Sequence, residues 1–134
     1  MANCRTTSKN KVFTYKEKRS SLTLYNNDEV LSEKIVVDGC EINDDDIKCD
    51  FMHIAKGVEM YIELKGQDLL HAMKQIERTI RLLSFNIKTQ EKISYIICTR
   101  SPLISTEIQA YDREFRKKYN SKLIIKSSPH TAHY

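Results

Sequence analysis

The stretch from Ile47 to Leu64 constrains the fold more than any other. Two apolar runs of strand length, IKCDFMHIA over 47–55 and VEMYIEL over 58–64, are separated only by Lys56-Gly57. So short a link leaves no room for a crossover, so the runs pair antiparallel as a hairpin. On a strand, side chains alternate between faces. Tyr61, Glu63 and Lys65 therefore point one way, and Met60, Ile62 and Leu64 point the other way, into core. Asp50 lies in the first run, and a turn centred on Lys56-Gly57 sets it opposite Glu63.

The elements around this hairpin follow from pattern. Gly66 ends the second strand and Asp68 is an N-cap for a helix reaching Leu83. Leu69, Met73, Ile76, Ile80 and Leu83 form its apolar stripe, and Lys74, Arg78 and Arg81 lie on the opposite face. ISYIICT over 93–99 reads as a central strand covered on both faces, ended by Arg100-Ser101-Pro102. Residues 105–119 form a second helix, with Ile108, Tyr111, Phe115 and Tyr119 buried, and 123–125 a last strand. Upstream, 21–25 and 33–37 are strands. Asn26-Asn27 and Asp38-Gly39 turn the chain, Cys40–Ile42 is a short return strand, and 43–46 is an acidic loop. Residues 1–11 read as a flexible basic tail and 127–134 as a C-terminal tail. The order is β-β-β-β-α-β-α-β within one domain spanning 1–134. A helix between strands 58–64 and 93–99 favours parallel pairing there. The expected class is α/β, a mixed central β-sheet flanked by helices.

Charge is distributed unevenly. Residues 1–20 carry six basic groups and one acid, residues 28–50 carry nine acids against Lys34 and Lys48, and residues 65–126 carry thirteen basic groups against six acids. A metal site beside a phosphate-binding surface needs such polarity, although any single charge run is more often a solvated face. No apolar run approaches the roughly 20 residues of a membrane span. The first residues have no apolar segment of the secretory type, so no membrane partner is expected. Cys4, Cys40, Cys49 and Cys98 lack CxxC spacing and have no His at zinc-finger spacing. Reduced thiols and a cytoplasmic location are the expectation. His53 and His71 read as structural or exposed.

A carboxylate and an ammonium side by side at the end of an apolar strand are costly without a purpose. Two carboxylates facing each other repel, and a divalent cation between them removes the objection. Together Asp50 and Glu63-Leu64-Lys65 spell D-x₁₂-E-L-K, which closely resembles the PD-(D/E)XK nuclease superfamily with its restriction-endonuclease-like fold. The resemblance runs from about Ile47 to Ile80 and into the strand–helix–strand that follows. It implies Mg²⁺, with Mn²⁺ able to substitute, held by Asp50, Glu63 and the backbone carbonyl of Leu64. It implies that Lys65 orients or deprotonates the attacking water, and that Gln75 on the next helix belongs to the catalytic set. Cys49 stands where the family has Pro, and an upstream acidic ligand is not clear, with Glu29 and Glu33 as candidates. The implied activity is Mg²⁺-dependent phosphodiester hydrolysis, in DNA first, in defence or repair. Lys74, Arg78, Arg81 and Arg100 would hold backbone phosphates. A chain this small would dimerise or work beside a target-selecting protein. Two alternatives stand beside this: a junction-resolving endonuclease, and a catalytically silent domain that binds nucleic acid or protein. The plainest reading makes Glu63 and Lys65 a surface ion pair and Gln75 a helix-surface residue.

Overall fold

In the computed structural model, which describes residues 3–64, 68–99 and 105–134, the hairpin forms as its short link requires. Strands β5 (Phe51–Ala55) and β6 (Val58–Leu64) pair antiparallel, with Phe51 opposite Ile62 and Ala55 opposite Val58. Lys56 and Gly57 both have positive φ, 53° and 72°. That is the turn whose twist matches two paired strands.

The hairpin sits inside a six-stranded mixed sheet that also contains β1 (Arg5–Ser8), β4 (Ser32–Val36), β7 (Lys92–Cys98) and β8 (Ser121–Ser127). The order is β1-β4-β5-β6-β7-β8, antiparallel as far as β6 and parallel from β6 to β8. Helix α1 (Leu69–Leu83) joins β6 to β7, and α2 (Ser105–Tyr119) joins β7 to β8. The parallel pairing of β6 with β7 is the one expected from that crossover. Asp68 caps α1, its side chain accepting the His71 amide at 3.1 Å.

The two faces of this sheet are covered differently. Tyr61, Ile96, Leu123 and Ile125 face the helices, packing with Leu69, Met73, Ile76 and Ile80 of α1 and Phe115 and Tyr119 of α2. Met60, Ile62, Leu64, Tyr95 and Ile97 face the other way. There they meet Phe13 and Tyr15 of β2 (Val12–Glu17) and Leu22 and Leu24 of β3 (Ser20–Tyr25). Strands β2 and β3 form a second, three-stranded sheet with β9 (His130–His133), which pairs parallel to β3. Ile62 and Leu64 are wholly buried here, worth about 2 kcal/mol each. The α/β class and mixed sheet therefore hold, but helices cover one face only and a small sheet covers the other.

Three local expectations are corrected. Residues 5–8 and 130–133 are strands rather than tail. Both are short edge segments with polar, half-exposed side chains, and an edge strand needs no apolar alternation. Cys40–Ile42 makes no strand; the stretch closes as a turn, with the Ile42 amide on the Val37 carbonyl. Cys4 and Cys40 are not free thiols. Pairing of β1 with β4, and the Val36 amide on the Cys4 carbonyl, bring Cys4 beside that turn. The two residues form a disulfide with Cα atoms 5.6 Å apart. Cys49 and Cys98 are the buried free thiols among the described residues.

The seam between the two sheets contains a polar chain. His53, with no exposed surface, bonds the Tyr15 hydroxyl at Nδ1 (2.6 Å) and the Tyr134 hydroxyl at Nε2 (2.8 Å). Tyr134 in turn bonds the Ser32 hydroxyl at 2.6 Å.

Candidate functional site

The corner where β5 begins and β6 ends gathers the charged residues singled out above. Strand β5 starts at Phe51 instead of at Ile47. The reason lies on α1. The Gln75 amide donates to the Lys48 carbonyl (3.1 Å), the Arg78 guanidinium to the Ile47 carbonyl (2.8 Å), and the Thr79 hydroxyl accepts the Cys49 amide (2.9 Å). Positions 75, 78 and 79 share one face of a helix. Three side chains of α1 thus satisfy the backbone of 47–49 where a neighbouring strand would otherwise do so.

Asp50 follows directly. Its amide donates to the Ile62 carbonyl (3.1 Å), and its carbonyl accepts from Val37 (3.1 Å) and Asp38 (3.3 Å). Its carboxylate Oδ2 accepts the Leu64 amide at 2.9 Å. Backbone and side chain of Asp50 therefore bracket Glu63 from both sides along β6. Glu63 is 6% exposed and lies on the helix-facing side of β6 with Tyr61. The thiol of Cys49 registers both carboxylates. Burial pushes it up to about 12, and the nearby charges of Glu63 and Asp50 add to that shift.

The other glutamate on this face, Glu59, has a different role. Its carboxylate accepts the Tyr61 hydroxyl (2.9 Å), the Ser84 hydroxyl (2.7 Å) and the Phe85 amide (2.8 Å). It fastens the end of α1, and Tyr61 covers the sheet beneath the helix. Burial, then Glu59, raises the Tyr61 phenol.

The expected site residues are distributed as follows. Asp50, Glu63 and Leu64 meet in the corner. Gln75 reaches the corner's backbone at Lys48, two residues before Asp50. Arg78 is committed to Asp44 through two nitrogens, at 3.2 and 2.6 Å, and to Asp46 at 3.5 Å. Its hydrogen bond holds the exposed Asp44 carboxyl down to about 2. Lys74 is exposed on α1, and so is Arg81, which lies beside Tyr119 and Glu77. Lys65 and Arg100 lie outside the described residues. Of the two upstream acids, Glu33 pairs with Arg5 (3.2 Å) at the sheet edge, and Glu29 is exposed beyond β3. Thr79 and Lys48, which shape the corner, carried no sequence signal beyond a polar residue beside a helix stripe and a lysine after an acidic loop.

The donor set of the corner is all oxygen: two carboxylates and the carbonyl of Leu64. Hard divalent cations take such ligands. Among the described residues no three His, Cys, Asp or Glu side chains gather into a metal-binding group. A cation here would therefore rest on the Asp50–Glu63 pair and backbone oxygen. No described helix is long and apolar enough to cross a membrane. Comparison of the chain with protein-family models, with curated proteins and with solved structures gives no match.

Proposed function

We propose that this chain is a Mg²⁺-dependent nuclease of the restriction-endonuclease-like kind, acting on DNA phosphodiesters. The observation that carries the reading is the bond between the Asp50 carboxylate and the Leu64 amide, which fixes one acidic side chain against the strand end that presents the other. Two buried or half-buried carboxylates in one corner repel unless a cation or proton lies between them. Bound Mg²⁺ would polarise the scissile phosphate and lower the pKa of its water. Asp50 and Glu63 would hold the ion, assisted by the Leu64 carbonyl. Gln75 and Thr79 act one step back, as positioning residues that hold the backbone of 48–49 and with it Asp50. Lys65, on the resemblance, would orient the water.

Supercoiled plasmid, single-stranded DNA and RNA, each with Mg²⁺ or Mn²⁺, test this for wild type, Glu63→Gln and Lys65→Ala. Metal-dependent cutting of DNA that both variants lose supports the reading. A folded wild type that cuts none of the three substrates sinks it and leaves the silent binding domain in its place.

A further inference from the structure

The tip of the β2–β3 hairpin carries Lys16, Lys18 and Arg19, all exposed, against the single acid Glu17. Lys18 turns the chain with φ of 49°. Arg5, Lys56, Arg78, Arg116 and Lys118, elsewhere on the surface, are each matched to an acid.

This tip is anchored in place. The Ser21 amide donates to the Ser128 hydroxyl (2.9 Å), and that hydroxyl donates to the Arg19 carbonyl (3.3 Å). Ser128 in turn donates its amide to the Cys98 carbonyl at 2.7 Å. The tip is thereby fastened to the carboxyl ends of β7 and β8. In register, Leu64 lies beside Ile97, so Cys98 stands just past the level of Leu64. One strand spacing, about 5 Å, separates β7 from the strand that presents Glu63. Lys126, exposed and two residues before Ser128, adds a fourth positive charge at the same edge. Ligands of open sheets with parallel strands bind outside the carboxyl ends of those strands.

We propose that the β2–β3 hairpin tip grips the phosphate backbone of the DNA strand that enters the Asp50–Glu63 corner, with Lys16, Lys18, Arg19 and Lys126 as the contacts. This rests on the nuclease reading for the identity of the polyanion. From β6 to β8 is about 10 Å, which a strand with one phosphate per roughly 3.4 Å covers in about three phosphates. Lys126 stands on that span, and Lys16, Lys18 and Arg19 stand one layer away, on the side of the sheet opposite the helices, so the strand crosses the carboxyl edge from the hairpin to the helix-facing side where Glu63 lies. The contacts go to phosphate, so the grip is indifferent to base sequence.

The test is fluorescence anisotropy with a labelled DNA duplex in EDTA, across a series of KCl concentrations. The proteins are wild type, Lys18→Asn with Arg19→Gln, Lys16→Gln with Lys126→Gln, Glu63→Gln, and Lys122→Gln as a charge control at the other end of β8. Asn suits the left-handed backbone at position 18. Each hairpin-edge double variant should bind about tenfold or more weakly, with the log–log salt slope reduced by about 1.8, since one phosphate contact contributes about 0.9. Lys122→Gln should stay close to wild type, and Glu63→Gln, which takes a negative charge out of the corner, should bind as tightly as wild type or more tightly. Both double variants matching wild type in affinity and slope would overturn the grip, as would a wild type that binds no DNA. Plasmid cutting by a wild type whose binding ignores the hairpin defeats the grip and spares the nuclease. Hairpin-dependent binding without cutting does the reverse.

Discussion

His53 is the residue with the clearest consequence for solution behaviour. Burial pushes its imidazole down to about 4, and the positive charge of Lys34 adds to that. An unfolded chain takes up that proton near pH 6.5. Below that pH the unfolded state binds a proton that the folded state refuses, so stability falls as the solution becomes more acid. The contribution is fully present above pH 6.5 and is lost progressively toward pH 4, amounting to about 3 kcal/mol. Urea melts near neutral pH and at about pH 4.5 should show this loss in wild type, and a flatter profile in His53→Gln. An equal acid loss in both proteins would place the effect elsewhere. Lys92 makes a complementary point about what residue type can reveal. It is 1% exposed, and its ammonium, with three N–H donors, lies within hydrogen-bond distance of the carbonyls of Asn86, Ile87, Gln90 and Tyr119. Nothing in the letter K at the start of an apolar run marks a lysine that organises a loop, because its partners are backbone oxygens that have no sequence signature.

At the scale of elements, α1 shapes the corner as much as the hairpin does. Thr79→Val leaves the Cys49 amide without its acceptor and should cost about 1–3 kcal/mol. Gln75→Leu removes the bond to the Lys48 carbonyl. If these residues position Asp50, Thr79→Ser should restore cleavage that Thr79→Val loses, with little change in KM; a kcat that tracks melting temperature alone would make Thr79 merely structural. The disulfide acts at the same end of the sheet, in the turn whose Val37 and Asp38 amides donate to the Asp50 carbonyl. It closes a loop with a sequence separation of 36, worth about 4 kcal/mol on the chain-entropy model. Cys40→Ser or added reductant should lower the denaturation midpoint accordingly, and an unchanged midpoint would show that Arg5, through Glu33 and Glu41, suffices to hold β1. The hairpin, both helices and the parallel strands were legible in the sequence because each has a strong local period or a decisive turn. The pairing of Cys4 with Cys40 was not, since it depends on β1 lying beside β4. The departure of 47–49 from β5 was hidden as well, because an apolar run reads as strand whether its backbone bonds go to a strand or to a helix's side chains.

For the whole molecule, the informative feature is the uneven covering of the central sheet. Alternation along β6 and β7 required apolar partners on both faces, and the sequence showed only two helices to supply them. The remaining cover came from a segment that looked half strand and a segment that looked like tail. Each owes its place to the other, because β9 pairs with β3 along Leu22–Tyr25. Tyr134→Phe, which removes the hydroxyl shared by His53 and Ser32, should loosen this layer first. Hydrogen exchange should then quicken in β2, β3 and β9 while β6 and β7 stay protected; uniform quickening would mean that the two sheets open as one unit.

The parallel pairing of β3 with β9 also sets an order of events during synthesis. The β2–β3 hairpin leaves the ribosome early and can close at once from local contacts. Its third strand arrives more than a hundred residues later, after both helices and the whole central sheet. Until then the hairpin rests over Met60, Ile62 and Leu64 on its own packing and on the Tyr15–His53 hydrogen bond, without the pairing that β9 adds. Contacts so distant along the chain form slowly, so the second sheet is expected to gain its third strand last.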